Sequence, residues 1–268
     1  MGIQALYTAA TGMKAMDFKL NVVANNLANI ETVAFKRSRA NFEDILYQTL
    51  EEPGLRNGLD QPLPTGKQVG LGVHVSGTQL SFEQGALDNT GERFDLAIEG
   101  DGFFQVQAFI DGQETTVYTR AGNFTRNADG EIVLANSLGA RMEPAITIPQ
   151  DAIDFAVSPQ GLVQVRLPAA TDFQDVGQIE LARFVNPAGL KQLAANLFQD
   201  TDASGPPITA NPTEDGMGTL QQNYLEMANV NPVRELVELI HTQRSFELNS
   251  QSIQSADQTL QTVNNLRR

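Results

Sequence analysis

Both ends of this 268-residue chain carry a seven-residue apolar repeat, and a seam of that kind has to be covered. Leu6, Ala9, Met13, Met16, Leu20, Val23, Leu27 and Ile30 follow one another in alternating steps of three and four, with no polar residue among them. Near the other end Leu239, Phe246, Ile253 and Leu260 recur every seven residues, flanked by Leu236, Ala256, Val263 and Leu266. A repeat of about 3.5 residues lays one narrow apolar line along a helix, and a second helix is its usual cover. The ends are therefore expected to pair, either with other copies of the chain or with each other as an intramolecular hairpin.

Charge permits this pairing. Residues 1–41 hold five Lys/Arg against two Asp/Glu, a balance of +3, and residues 220–268 hold four against five, a balance of −1. The whole chain is −14, so the segment between them carries −16. Nearly neutral ends do not repel one another, whereas an acidic body excludes nucleic acid, which needs a basic face to displace its counterions. No stretch approaches the roughly 18 apolar residues of a membrane span. Lys14, Asp17 and Lys19 interrupt the only candidate for a signal-peptide apolar region.

Between the ends the apolar period changes from about 3.5 to two. Residues 94–98 and 103–106 read as strands separated by glycine, and Asp111-Gly112 and Asp129-Gly130 are hairpin turn signals. Residues 35–50 mix aromatic, aliphatic and charged side chains and leave helix and strand both open. Residues 51–72 are rich in Pro and Gly, a long loop of the sort that usually carries an interaction. The final helix begins either near Leu220 or after Asn231-Pro232, since proline suits a first helical turn. The expected fold class is α+β: long N- and C-terminal α-helices in a coiled-coil-like domain, with a β-rich middle domain. The boundaries that follow are residues 1–35 and 220–268 for the helical part and 93–185 for the β-rich part. Residues 36–92 and 186–219 connect them, with an extended stretch near 41–73.

Chemistry is sparse. Without cysteine there are no disulfides, no thiolate zinc site and no thiol nucleophile. His74 and His241 have no second histidine at metal-ligand spacing and read as surface or packing residues. Gly70-Leu71-Gly72 begins like a dinucleotide fingerprint, but Val75 stands at the third glycine position and no helix pattern follows. No catalytic, cofactor-binding or metal-binding residue is assigned.

One segment is far more specific. Residues 21–37, NVVANNLANIETVAFKR, closely resemble the signature of the bacterial flagellar rod and hook protein family. The resemblance continues through residues 94–106 (FDLAIEGDGFFQV), 118–124 (YTRAGNF) and 129–133, and returns at 224–250 (YLEMANVNPVRELVELIHTQRSFELNS). Ala34 departs from it, since the family usually has Gly there. Residues 41–73 look like the extended segment of the distal-rod members, which hook proteins usually lack; a hook or proximal-rod subunit is the alternative within the family. A β-rich adhesin or binding module on a coiled-coil stalk is the alternative outside it.

The resemblance implies a structural, non-enzymatic subunit, without cofactor, that polymerises into a rigid hollow shaft transmitting torque from motor to hook. It implies export through the flagellar type III apparatus without a cleaved signal peptide, and a place in the basal body, in the periplasm. The implied partners are further copies of the chain, proximal rod proteins, the hook protein, and the P- and L-ring proteins, with no nucleic acid and no membrane insertion. The terminal helices would form the inner tube and the β-rich part the outer wall. The candidate assembly residues are Leu6, Met13, Leu20, Asn21, Asn25, Asn26, Leu27, Asn29, Phe35, Leu239, Phe246, Ile253 and Leu260. Asn21, Asn25 and Asn29, at steps of four, would present a polar stripe to neighbouring subunits or to an uncharged lumen. Lys36, Arg37 and Arg39 would meet the acidic body of a neighbour or end in solvent.

Overall fold

The computed structural model describes residues 2–52, 65–110, 112–168 and 172–266, and the chain divides into two compact units. The turn pairs Pro53-Gly54, Asn57-Gly58 and Asp111-Gly112 fall wholly or partly outside the described residues, as do the side chains of Val263 and Leu266.

The first unit comprises residues 1–28, 38–80 and 231–268. Its helices α1 (Gly2–Ala28) and α2 (Pro232–Leu266) pack on each other. Asn26 bonds to Glu235, Lys19 pairs with Glu238, and Gly12 lies against Asn249, so the helices run antiparallel. The start of α2 is set by Pro232, whose ring and missing N–H forbid helix upstream. Asn231 caps it, its side-chain oxygen accepting the Arg234 amide at 3.2 Å.

Residues 38–80 resolve the helix-or-strand question in favour of strand. Ser38–Asp44 pairs antiparallel with Val73–Leu80, and Tyr47–Glu51 with Lys67–Gly70. The Ile45 amide to Gly72 carbonyl and Leu71 amide to Leu46 carbonyl bonds join the two ladders into one long ribbon. Ser38–Asp44 and Val73–Leu80 lie against α1. Gly72 makes this approach possible: its φ is +123°, and a Cβ there would meet Thr11 Oγ1 at 2.2 Å.

The second unit comprises residues 29–37 and 81–230. A nine-stranded antiparallel sheet is centred on Phe103–Ile110, which pairs with Gln113–Thr119, Arg141–Glu143 and Leu181–Arg183. A three-stranded sheet, Asp154–Val157, Leu162–Arg166 and Gln174–Gln178, adds Phe155, Val163 and Val165 to the same core. Alternation buries Phe104, Val106 and Ala108 from one face of Phe103–Ile110.

Residues 219–226, grouped by sequence with the C-terminal helix, are strands of this unit. Thr219–Gln222 pairs with Leu96–Glu99, and Tyr224–Glu226 with Leu87–Asn89, on either side of Asn223 at φ 65°. Leu220 and Tyr224 mimic a helical step of four, but Leu220 fills the β core and the helix cannot extend back through Pro232. Residues 81–92 and 186–219 are likewise part of the compact β unit. Among the described residues, no helix is long and apolar enough to cross a membrane.

Candidate functional site

The fully buried residues of the helix pair are Ala15, Val23 and Asn26 on α1 and Glu235 and Thr242 on α2. Leu6, Met13, Leu20 and Leu27 on α1 and Leu239, Phe246 and Ile253 on α2 are half-buried. The helices pack on each other within the chain, and the contacts that fix them are Asn26 with Glu235, Lys19 with Glu238 and Gly12 with Asn249. Positions four residues before each of the α2 apolar positions are polar or small: Glu235, Thr242, Asn249 and, after Ile253, Ala256. Gly12, a poor helix former by about 1 kcal/mol, has a packing reason, because a Cβ there would stand 3.1 Å from Asn249 Nδ2.

Leu260 lies outside this arrangement. With Asn26 opposite Glu235 and Gly12 opposite Asn249, α1 runs out opposite about residue 259, and Leu260 just beyond is exposed. The Asn residues divide as well. Asn21 and Asn25 occupy the outer face of α1. Asn29 lies past the helix end at Ala28, where its side-chain oxygen accepts the Thr32 hydroxyl at 3.2 Å, so the three do not form one stripe. Asn26 is enclosed in the chain: its amide nitrogen donates to the Ser38 carbonyl at 2.9 Å and to Glu235 Oε2 at 3.2 Å, while its oxygen accepts the Ser38 amide at 3.0 Å. It ties the end of α1 to the ribbon and to α2.

On the far side of α2 a second apolar line stays open. Val233, Leu236, Val237, Ile240 and Leu248 are all exposed, Val233 at 69% and Leu248 at 63%. A helix already packed on α1 has no internal use for this line. Contiguous exposed apolar surface of this kind marks contact with another molecule.

In the β unit the signature segments converge on a buried charge centre. Lys36, from the first segment, donates from Nζ to Glu226 Oε1 at 2.7 Å and to the Glu83 carbonyl at 2.8 Å. Arg120, from YTRAGNF, donates from Nε to Glu226 Oε2 at 2.9 Å and from Nη1 to the carbonyls of Gly100 and Gly102. The Gly85 amide completes the set on Glu226 Oε1 at 2.8 Å. The side chains of Lys36 and Glu226 are 0% exposed. Burial pushes the Lys36 amine below its ordinary value, with Glu226 opposing that shift. Burial also pushes Glu226 upward, but the Arg120 and Lys36 charges and their hydrogen bonds outweigh it and hold the carboxylate below its ordinary range.

Lys36 therefore does not reach toward a neighbouring subunit, as its place after an amphipathic helix suggested; its charge is answered inside the chain. Phe35 is buried beside it in the same unit. Arg39 is at the surface, donating to Gln79 Oε1 at 2.9 Å. The partner of Lys36, 190 residues away, had no local signal in the sequence.

Ala34 keeps the left-handed backbone that glycine usually supplies, at φ 56°, with its amide donating to the Glu226 carbonyl at 2.7 Å. Such a conformation costs a non-glycine residue about 1–2 kcal/mol. Ala34→Gly is expected to change stability by less than about 1 kcal/mol, because relieved strain is offset by lost methyl burial and greater unfolded-state freedom. Ala34→Val, β-branched at positive φ, is expected to cost more than about 2 kcal/mol. Thermal melts of the two variants check both.

His74 and His241 are exposed, and no cluster of metal-ligating side chains occurs among the described residues. The arrangement is built for contact and rigidity.

Three family models match in order along the chain: "Flagella basal body rod protein" over residues 6–36, "Flagellar hook protein FlgE/F/G D1 domain" over 97–165, and "Flagellar basal body rod FlgEFG protein C-terminal" over 221–266. The flagellar basal-body rod protein FlgG of Caulobacter vibrioides is 46% identical over 99% of this chain and 100% of its own length. That of Buchnera aphidicola subsp. Schizaphis graminum is 44% identical over 98% and 100%. The flagellar hook protein FlgE of Helicobacter mustelae is 40% identical, but over only 49% of this chain and 28% of its own length.

Proposed function

This chain belongs to the flagellar basal-body rod protein FlgG family, and from that premise we propose that it polymerises into the distal rod, a rigid hollow shaft carrying torque from motor to hook. The observation that carries the reading is the open apolar line on α2, a helix that already packs on α1 within the chain. A face of this kind meets a different face of the next copy, and such heterologous contacts generate helical polymers when they do not close. Rod is favoured over hook, because the FlgG relative spans 99% of the chain and the hook protein matches only 49% of it.

The other parts of the reading follow from the family. The subunit has no enzymatic role and works in the basal body, in the periplasm, reached through the type III export apparatus without a cleaved signal peptide. Its lack of cysteine suits passage between reducing and oxidising compartments. Its neighbours are its own copies, proximal rod proteins, the hook protein and the P- and L-ring proteins. The helix pair acts as a coiled-coil-like element that gains order on assembly. Deleting the gene is expected to leave basal bodies without hooks and cells without motility, restored by the wild-type gene. Hooks assembled at normal frequency in the deletion strain would refute the proposal.

A further inference from the structure

We infer that a cavity in the β unit is a carboxylate socket, filled in the polymer by an acidic side chain of an adjacent copy of this chain. The inference rests on the reading that the chain polymerises, and names a contact within that polymer.

The cavity has a volume of about 400 Å³, with Arg120 and Arg183 among its lining, Phe103 in its wall, and Val185 and Ile208 at its edge. Arg120 has committed Nε to Glu226 and Nη1 to two carbonyls. Its remaining nitrogen, Nη2, is buried and has no partner among the described residues. A buried cationic N–H without a partner is costly and rare. Arg183 lies near Gly216, and no carboxylate among the described residues pairs with it. Asp101 is the sole carboxylate in the lining, so the lining carries an excess of positive charge within a chain whose middle segment is −16.

The edge has the opposite character. Val185 is 81% exposed and Ile208 39%, both large aliphatic groups facing solvent around a desolvated guanidinium. Aliphatic groups that exclude water around a central Arg are the anatomy of an interface hot spot. Two guanidiniums select a carboxylate: Arg120 offers its remaining Nη2, and Arg183 a fork of N–H groups. The occupant is a second copy because acidic side chains are what this chain's middle segment presents in excess, and a polymer supplies one neighbour for every socket.

The test uses full-length protein. A photo-crosslinking residue at Val185, irradiated in assembled wild-type polymer, is expected to join two copies, the recipient peptide containing an Asp or Glu. Arg183→Glu is expected to raise the concentration needed for assembly at least tenfold while the monomer's melting temperature stays unchanged, with Arg183→Lys between the two. Val185→Asp, at an exposed position, gives the same readout without risk to the fold. If both variants assemble at the wild-type concentration, or the cross-link joins this chain only to a different protein, the socket is refuted while polymerisation stands. A wild-type chain that stays monomeric at every concentration refutes both.

Discussion

Glu226→Ala is expected to cost the β unit about 3–5 kcal/mol, the penalty for breaking a buried ion pair and stranding its partners. Two cations, Lys36 and Arg120, share that carboxylate, together with the Gly85 amide. Removing the anion leaves the Gly85 amide without its acceptor and leaves the two cations only the carbonyls of Glu83, Gly100 and Gly102. Lys36→Met is expected to cost less, because Glu226 keeps Arg120 and Gly85. Lys36→Met combined with Glu226→Leu is expected to cost less than the sum of its parts, since it strands Arg120 and the Gly85 amide but not Lys36. Denaturant unfolding of the four proteins decides the matter; a loss under about 1 kcal/mol for Glu226→Ala would mean the centre contributes little.

The same centre sets an acid limb. Glu226 titrates below its ordinary value in the folded chain, so its contribution is present above the unfolded-state pKa. It is lost as pH falls through the folded value. Stability is therefore expected to drop steeply once pH passes below the ordinary carboxylate range, and Glu226→Gln should flatten that limb.

The second large effect separates the two faces of the helix pair. Ile240→Asp with Leu248→Asp changes exposed positions and is expected to leave monomer stability within about 0.5 kcal/mol. In the polymer the same positions would place carboxylates in an apolar contact. Each lost aliphatic burial is worth about 1.5–3 kcal/mol, so the pair should weaken subunit addition at least about 100-fold. Leu20→Asp or Phe246→Asp does the reverse. Each puts a charge at a half-buried position of the helix pair and is expected to separate α1 from α2 in the monomer itself, visible as lost helical circular dichroism. Sedimentation velocity and far-ultraviolet dichroism on the three variants distinguish the faces. An Ile240/Leu248 double variant that polymerises normally would place the contact elsewhere.

The two terminal helices were legible because apolar spacing is a local property, and α1 and α2 lie where the repeats run. The residues that fix them together, Asn26 with Glu235 and Lys19 with Glu238, were not, since that register is set across about 200 residues. The strands between residues 94 and 184 announced themselves by alternation and turn dipeptides. The start of the final helix was open between Leu220 and Asn231-Pro232, and pairing of Thr219–Gln222 with Leu96–Glu99 chooses the second. The motif segments were recognisable as motifs, but their purpose was not. Lys36, Arg120 and Glu226 lie far apart in sequence, and nothing near Lys36 says that its charge is answered indoors. Asn26 behaves likewise, since its neighbours Asn21 and Asn25 are surface residues of the same type.

The central claim is that the exposed line on α2 joins copies of this chain into an open polymer. Electron microscopy of the purified protein, concentrated stepwise from dilute solution, tests it most directly. The account predicts tubes of uniform diameter and indefinite length that vanish in the Ile240→Asp/Leu248→Asp variant. Closed oligomers of fixed size, or tubes that persist in that variant, would contradict it.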